Sequence, residues 1–152
     1  MKKYRLTEET TKVGNRPLYR IQALRDFGNV TKGDIGGYIE SEKNLSQDGN
    51  AWVSGNACVY GDAWVSGNAC VYGDADIKTT GDICSMSGFG SEYRTTTAFR
   101  TKNGDVHVSC GCFQGNLEAF CQRVEITHGN NLYGREYKKM IEMLKIHFEV
   151  EP

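Results

Sequence analysis

The sequence predicts a mainly β protein with a small α+β appendage: a short β-helix of hexapeptide repeats, capped by an N-terminal β-hairpin and followed by a ββαα module. Three observations carry this. Residues 49–60 read GNAWVSGNACVY and residues 61–72 read GDAWVSGNACVY, differing only at Asn50 against Asp62. Glycine is abundant, 18 of 152 residues, while proline occurs twice, so the glycines mark regular turns rather than a flexible linker. On both flanks the six-residue period gives way to alternation of two, and near the C-terminus to helical spacing. The expected segments are a cap over 1–29, repeats over 30–90 and the module over 91–152.

The N-terminal element is read as a hairpin. Tyr4 to Thr7 and Leu18 to Leu24 are alternating runs around Gly14-Asn15-Arg16-Pro17, a turn signal. In the repeats, Ala and Val lie two apart in each G-[ND]-A-x-V-x unit and point to one side of a strand. The expected interior is therefore Ala51, Val53, Ala57, Val59, Ala63, Val65, Ala69, Val71, Ala75 and Ile77, with Trp52, Cys58, Trp64, Cys70 and Asp76 pointing outward. Gly followed by Asn or Asp supplies the corner. Extended backward, the frame puts Ile39 and Leu45 in the Ala register and Ile35 in the Val register, so that about three coils run from Val30 to Phe89. Coils of 18 residues would stack Trp52 on Cys70 and Cys58 on Asp76; coils of 12 would stack Trp52 on Trp64.

The module begins with a second hairpin, Thr95 to Thr101 and Val106 to Cys112 around Asn103-Gly104-Asp105. A first helix capped by Asn116 follows, with Leu117, Phe120, Cys121 and Val124 on its apolar face, and it ends at His128-Gly129. A second runs from about Tyr133 to Phe148.

Charge excludes some functions. Residues 1–43 carry +3, residues 44–87 carry −4 and residues 88–152 are neutral, for a net −1. No stretch has the basic excess that binding to a nucleic-acid backbone needs, so no sequence-specific nucleic-acid partner is expected. No apolar run approaches the ~20 residues of a membrane span, and no apolar stretch follows the basic start, so neither membrane nor secretory signal is expected. Six cysteines in such a chain are expected as thiols of a reducing cytoplasm.

The Val-x-Gly-[Asn/Asp]-Ala-x register resembles the left-handed hexapeptide family, which implies a left-handed helix with 18-residue coils. The stretches Ala23-Leu24-Arg25-Asp26-Phe27-Gly28, Gly33 to Glu42 and Asn44-Leu45-Ser46, with the hexapeptides, are similar to small β-helix proteins of bacteria and their prophages. The string Cys110-Gly111-Cys112-Phe113-Gln114-Gly115-Asn116-Leu117, then His128-Gly129 and Arg135-Glu136-Tyr137, resembles a module of small phage-encoded proteins. The two resemblances imply a phage or prophage accessory protein in the cytoplasm of an infected bacterial host, with interference in host defence as its job. Left-handed helices of this kind often trimerise, which implies a homo-oligomer, a trimer ahead of a dimer.

Several side chains are candidates for chemistry. Trp52 and Trp64, outward on a regular face, suit a subunit interface or a stacking site. Arg94, Arg100, His128, Tyr133 and Arg135 would form an anion site if hairpin and helices converge; scattered solvation, and for His128 a favourable position at a helix C-terminus, are the plainer readings. Cys110, Cys112, Cys121 and His128 follow no common zinc spacing and fit one core, so no metal is expected. No Walker loop, Rossmann pattern or nucleophile elbow occurs, and no cofactor or catalytic residue is expected. The hexapeptide acyltransferases draw a general base from a His on the coils, whereas His107, His128 and His147 all lie outside the repeats. The expected function is binding by occupancy: a counter-defence factor that sequesters a nucleotide-type immune signal. The alternatives are an inhibitor that blocks a host defence protein such as a CRISPR effector, a hexapeptide-type acyltransferase, and a structural phage protein.

Overall fold

A computed structural model describes residues 1–150, which form two compact units, Met1–Asp82 and Ile83 onward. In the first, β1 (Tyr4–Val13) and β2 (Arg16–Ala23) form an antiparallel hairpin. Five short strands follow: β3 (Ile35–Ile39), β4 (Trp52–Val53), β5 (Cys58–Val59), β6 (Cys70–Val71) and β7 (Asp76–Ile77). They build a five-stranded mixed sheet in the order β1-β2-β3-β5-β7 and a two-stranded parallel sheet, β4-β6. Trp52 pairs with Cys70 and Cys58 with Asp76, each 18 residues on. The ten Ala, Val and Ile residues of the expected interior are all buried.

The expected architecture needs correction. Instead of a left-handed β-helix closed by a separate cap, the unit is a mixed sheet in which β2 pairs antiparallel with β3 and β3 pairs parallel with β5. The hairpin is thus a lateral extension of the repeat ladder, satisfying the backbone groups of an edge that would otherwise lie open. The repeat also stops earlier than expected. Beyond Asp82 the chain turns antiparallel, and Ile83 pairs with Phe99.

The backward frame is shifted as well. Ile39 pairs with Val59 and Leu45 bridges Val65, offsets of 20 residues, so both occupy the Val register. The period returns to 18 by Trp52. Between them, Leu45-Ser46-Gln47-Asp48-Gly49-Asn50-Ala51 matches Val65-Ser66-Gly67-Asn68-Ala69 with Gln47 and Asp48 inserted. The insertion fastens the start of β1. The Gln47 carboxamide accepts from the amides of Lys3 and Tyr4 at 2.7 and 3.2 Å and donates to the Tyr4 carbonyl at 3.3 Å. Ile35, expected inside, is 53% exposed.

The two near-identical repeats meet different surroundings. Trp52 is 7% exposed, edge-on to Phe27 at 5.3 Å, and Cys58 is buried against Leu18 and Tyr60. Their counterparts Trp64 and Cys70 are exposed. Gly36 makes the first arrangement possible. A Cβ there would lie 2.6 Å from the Val53 carbonyl oxygen and 2.7 Å from the Trp52 ring.

The second unit has four strands where two were expected. β8 (Ile83–Phe89), β9 (Arg94–Arg100), β10 (Val106–Cys110) and β11 (Phe113–Asn116) form an antiparallel sheet in the order β11-β10-β9-β8. α1 (Leu117–His128) and α2 (Leu132–His147) pack with it. Asn116 accepts from the Ala119 amide at 2.8 Å and Asn131 from the Gly134 amide at 2.9 Å, capping both helices. Large side chains, including Phe120, Tyr137, Met140, Ile141, Leu144 and Phe148, fill the core. Among the described residues no helix is long and apolar enough to cross a membrane.

Candidate functional site

A cleft of about 170 Å³ opens in the second unit between the β10–β11 turn, the start of β9 and the exposed side of α1. Its floor is apolar: Phe113, Phe120, Val124 and the ring of Tyr137. Phe120 meets Phe113 at 5.3 Å and Tyr137 edge-on at 5.7 Å, so the floor is a fixed aromatic cluster. The rim is polar, with the guanidinium groups of Arg94 and Arg123 and the imidazole of His128 facing one carboxylate, Glu92.

Each rim group has a local cause. His128 ends α1, where Gly129 stops the helix by donating back to Val124 and Glu125. Its imidazole stacks on Tyr137, with centroids 5.8 Å apart and planes at 21°, and lies 5.8 Å from Tyr133. Arg123 sits earlier on α1, with its guanidinium 5.4 Å over the Phe113 ring. Arg94 begins β9 and crosses the β10–β11 turn, where the absent side chain of Gly111 leaves the space that the guanidinium fills. Neither Arg94 nor Arg123 is ion-paired among the described residues.

Polar atoms near the floor form a chain. The Thr96 hydroxyl donates to Cys110 Sγ at 3.2 Å, and Cys110 Sγ and the Tyr137 hydroxyl are 3.6 Å apart. Burial, followed by the hydrogen bond with Cys110, raises the Tyr137 phenol well above its ordinary range, so it stays protonated at any physiological pH. No three His, Cys, Asp or Glu side chains among the described residues converge into a metal cage, and the six cysteines are thiols.

Of the seven residues singled out by sequence, the structure brings two to this cleft, Arg94 and His128, with Tyr133 touching the His128 ring from behind. Arg100 lies away from this cleft: its guanidinium is 5.2 Å from the Phe148 ring centroid and donates to the Phe148 carbonyl at 3.1 Å. Arg135 is exposed on another groove, beside Met86, Phe89 and Leu132. Trp52, expected outward for stacking, is covered by Phe27, whereas Trp64 is 48% exposed. Arg123, Cys110, Cys112 and Tyr137 were missed as site residues. A signal existed for Arg123. Phe120, Arg123, Val124, Thr127 and His128 follow i, i+3, i+4, i+7, i+8 spacing, so the apolar stripe of α1 continues into a polar half.

No family model matches the chain. Over 61 residues it is 39% identical to a protein of Escherichia coli K12 named as an uncharacterized acetyltransferase, YdcK, a similarity covering 35% of this chain and 19% of that protein. The chain spans about a fifth of the length of the curated relative that it matches.

Proposed function

We propose that this chain works by occupancy, holding the phosphoryl or carboxylate group of a small nucleotide-type ligand in the cleft of the second unit without transforming it. One observation carries the reading. Arg94 and Arg123 place two guanidinium groups, not ion-paired among the described residues, on one small cavity floored by aromatic rings. A guanidinium presents a planar fork that matches phosphate or carboxylate in two hydrogen bonds, and its charge is permanent. Volume decides how much of the ligand enters. About 170 Å³ falls short of the ~300–1,000 Å³ that encloses a drug-sized ligand. The cleft therefore takes the charged group and its neighbouring atoms, and the rest of the molecule lies outside. The resemblance to small phage-encoded proteins supports the biological role we propose: counter-defence in the cytoplasm of an infected bacterium, by sequestering a nucleotide-type immune signal, with the protein acting as a homo-oligomer.

A second reading, acetyl transfer, is favoured by the name of the Escherichia coli relative. Against it, the repeats hold no histidine to serve as general base. A thermal-shift panel of cyclic mono-, di- and trinucleotides, cyclic ADP-ribose isomers and acyl-CoAs separates the readings. A ligand at about 100 times its Kd adds about 2.7 kcal/mol and raises Tm by several degrees. The occupancy reading expects one nucleotide class to shift the transition and to be released unchanged on heating. Consumption of acetyl-CoA with release of CoA would establish the enzyme instead. A flat panel removes the small-ligand reading and leaves direct blockade of a defence protein, to be sought by pull-down.

A further inference from the structure

We propose that Cys110 and Cys112 form a reversible dithiol–disulfide pair at the mouth of the cleft. The pairing of Cys110 with Phe113 leaves Gly111 and Cys112 as a two-residue hairpin turn. Gly111 has φ +60°, the pattern of a type II′ turn with glycine in its first central position. Such a turn folds the chain until Cα(i) and Cα(i+3) are within ~7 Å. Residues i and i+2 then fall inside the ~4.4–6.8 Å Cα window that a disulfide spans. Both cysteines line the same cavity.

The two thiols differ in a way that assigns their order of reaction. Cys112 is exposed at the tip of the turn. Cys110 is half-buried, its sulfur held between the Thr96 and Tyr137 hydroxyls. Cys112 is therefore the attacking thiol and Cys110 the resolving one. The oxidant is a low-molecular-weight disulfide of the glutathione class. The Cys112 thiolate attacks one of its sulfurs, that S–S bond breaks, and one glutathione leaves and takes up a proton. The Cys110 thiolate then attacks the Cys112 sulfur of the mixed disulfide and expels the second glutathione, which is protonated in turn. Two electrons pass to the oxidant and both cysteine protons end on the released thiols. Arg94 and Arg123 favour an oxidant bearing carboxylates at this opening. A bridge across so tight a turn is strained, and strained or exposed disulfides are the readily reduced, regulatory ones. The pair is a switch that opens in a reducing cytoplasm and closes under oxidative load. The inference does not depend on the ligand reading, because its test reads sulfur chemistry alone.

The test uses the full chain, equilibrated in glutathione redox buffers of rising oxidised fraction, quenched in acid, alkylated and mapped by mass spectrometry. The expected result is a species lighter by two hydrogens, with two alkyl groups missing from the peptide that holds residues 110 and 112. Cys110→Ser should then accumulate a glutathione adduct on Cys112, and Cys112→Ser should leave Cys110 alkylated. Oxidised glutathione should close the bridge faster than cystamine, which is cationic. A wild-type chain that accumulates only the adduct on Cys112, or keeps both cysteines alkylated in the most oxidising buffer, overturns the inference.

Discussion

In the repeat unit small apolar groups two positions apart meet their counterparts on the next rung, 18 residues on from β4 and β5 and 20 on from β3, and the backbone ladder sets the spacing. In the second unit a handful of large side chains from two helices and four strands interlock once each. The first arrangement leaves little room for chemistry. Its interior is uniform and its one buried cation, Lys3, is spent on backbone carbonyls, the nearest that of Ala51 at 2.7 Å. The second leaves an aromatic-floored cleft where guanidinium, imidazole, hydroxyl and thiol groups meet. Periodicity makes an interior easy to read and chemically plain; irregular packing does the reverse.

This contrast can be broken or sharpened by experiment. Both tryptophans lie in the first unit and both α-helices in the second, so tryptophan fluorescence and far-UV helical ellipticity report the two units separately. The largest effect belongs to Leu144→Ala, which empties part of the helical core. It should cost about 2–5 kcal/mol in the helical transition and leave the fluorescence transition in place. Equal shifts in both signals in urea would show that the units do not unfold separately. Gly36→Ala should do the converse, costing about 3 kcal/mol in the fluorescence transition, because the new methyl meets the Val53 carbonyl oxygen and the Trp52 ring. Gly111→Ala should cost about 1–2 kcal/mol, because its φ of +60° disfavours any side chain, and the Arg94 guanidinium must also shift to admit the methyl. Asn131→Ala removes the cap of α2 and should cost about 1 kcal/mol, read only by ellipticity.

The last effect is confined to a pH window. Burial, aided by the nearby Arg25 charge, lowers the Lys3 pKa to about 8 from 10.5. Between those values the unfolded chain binds the proton and the folded chain does not, so stability rises with pH from about 8 to 10.5. Below about 8 both states are charged and the slope vanishes. Lys3→Met should flatten the rise, seen as urea midpoints by fluorescence that no longer climb between pH 8 and 10. A rise that survives the substitution would place its origin elsewhere.

What could be read from the sequence follows the same division. The repeats announce which residues are interior, because the period-two alternation lies within six residues. They could not announce that Trp52 is covered, since Phe27 is 25 positions away and the second copy, Trp64, stays exposed. The left-handed β-helix with its separate cap failed because the role of the hairpin depends on lateral pairing between β2 and β3, which no local pattern encodes. The two-residue insertion at Gln47-Asp48 looked like loss of the repeat, although its Ser, Gly, Asn and Ala survive on either side. In the second unit the helices were legible from their caps and stripes. β8 was absorbed into the fading repeat, because Gly81-Asp82-Ile83 resembles the opening of a hexapeptide, although Gly81 follows Gly73 by eight residues instead of six. At the site, Arg94 and His128 were legible as a guanidinium near a turn and an imidazole at a helix end. Arg100 and Arg135 have the same composition and a different fate, which only the positions of Phe148 and Phe89 decide.

The most direct measurement is equilibrium titration of the nucleotide selected by the thermal panel into wild-type protein, Arg94→Ala and Trp64→Ala. Loss of a guanidinium fork from a charged contact costs about 1.5–3 kcal/mol. Arg94→Ala should therefore bind at least ~10-fold more weakly, and Trp64→Ala should match the wild type. Unchanged affinity in Arg94→Ala together with lost binding in Trp64→Ala would move the site to the repeats and contradict the division of labour between the two units.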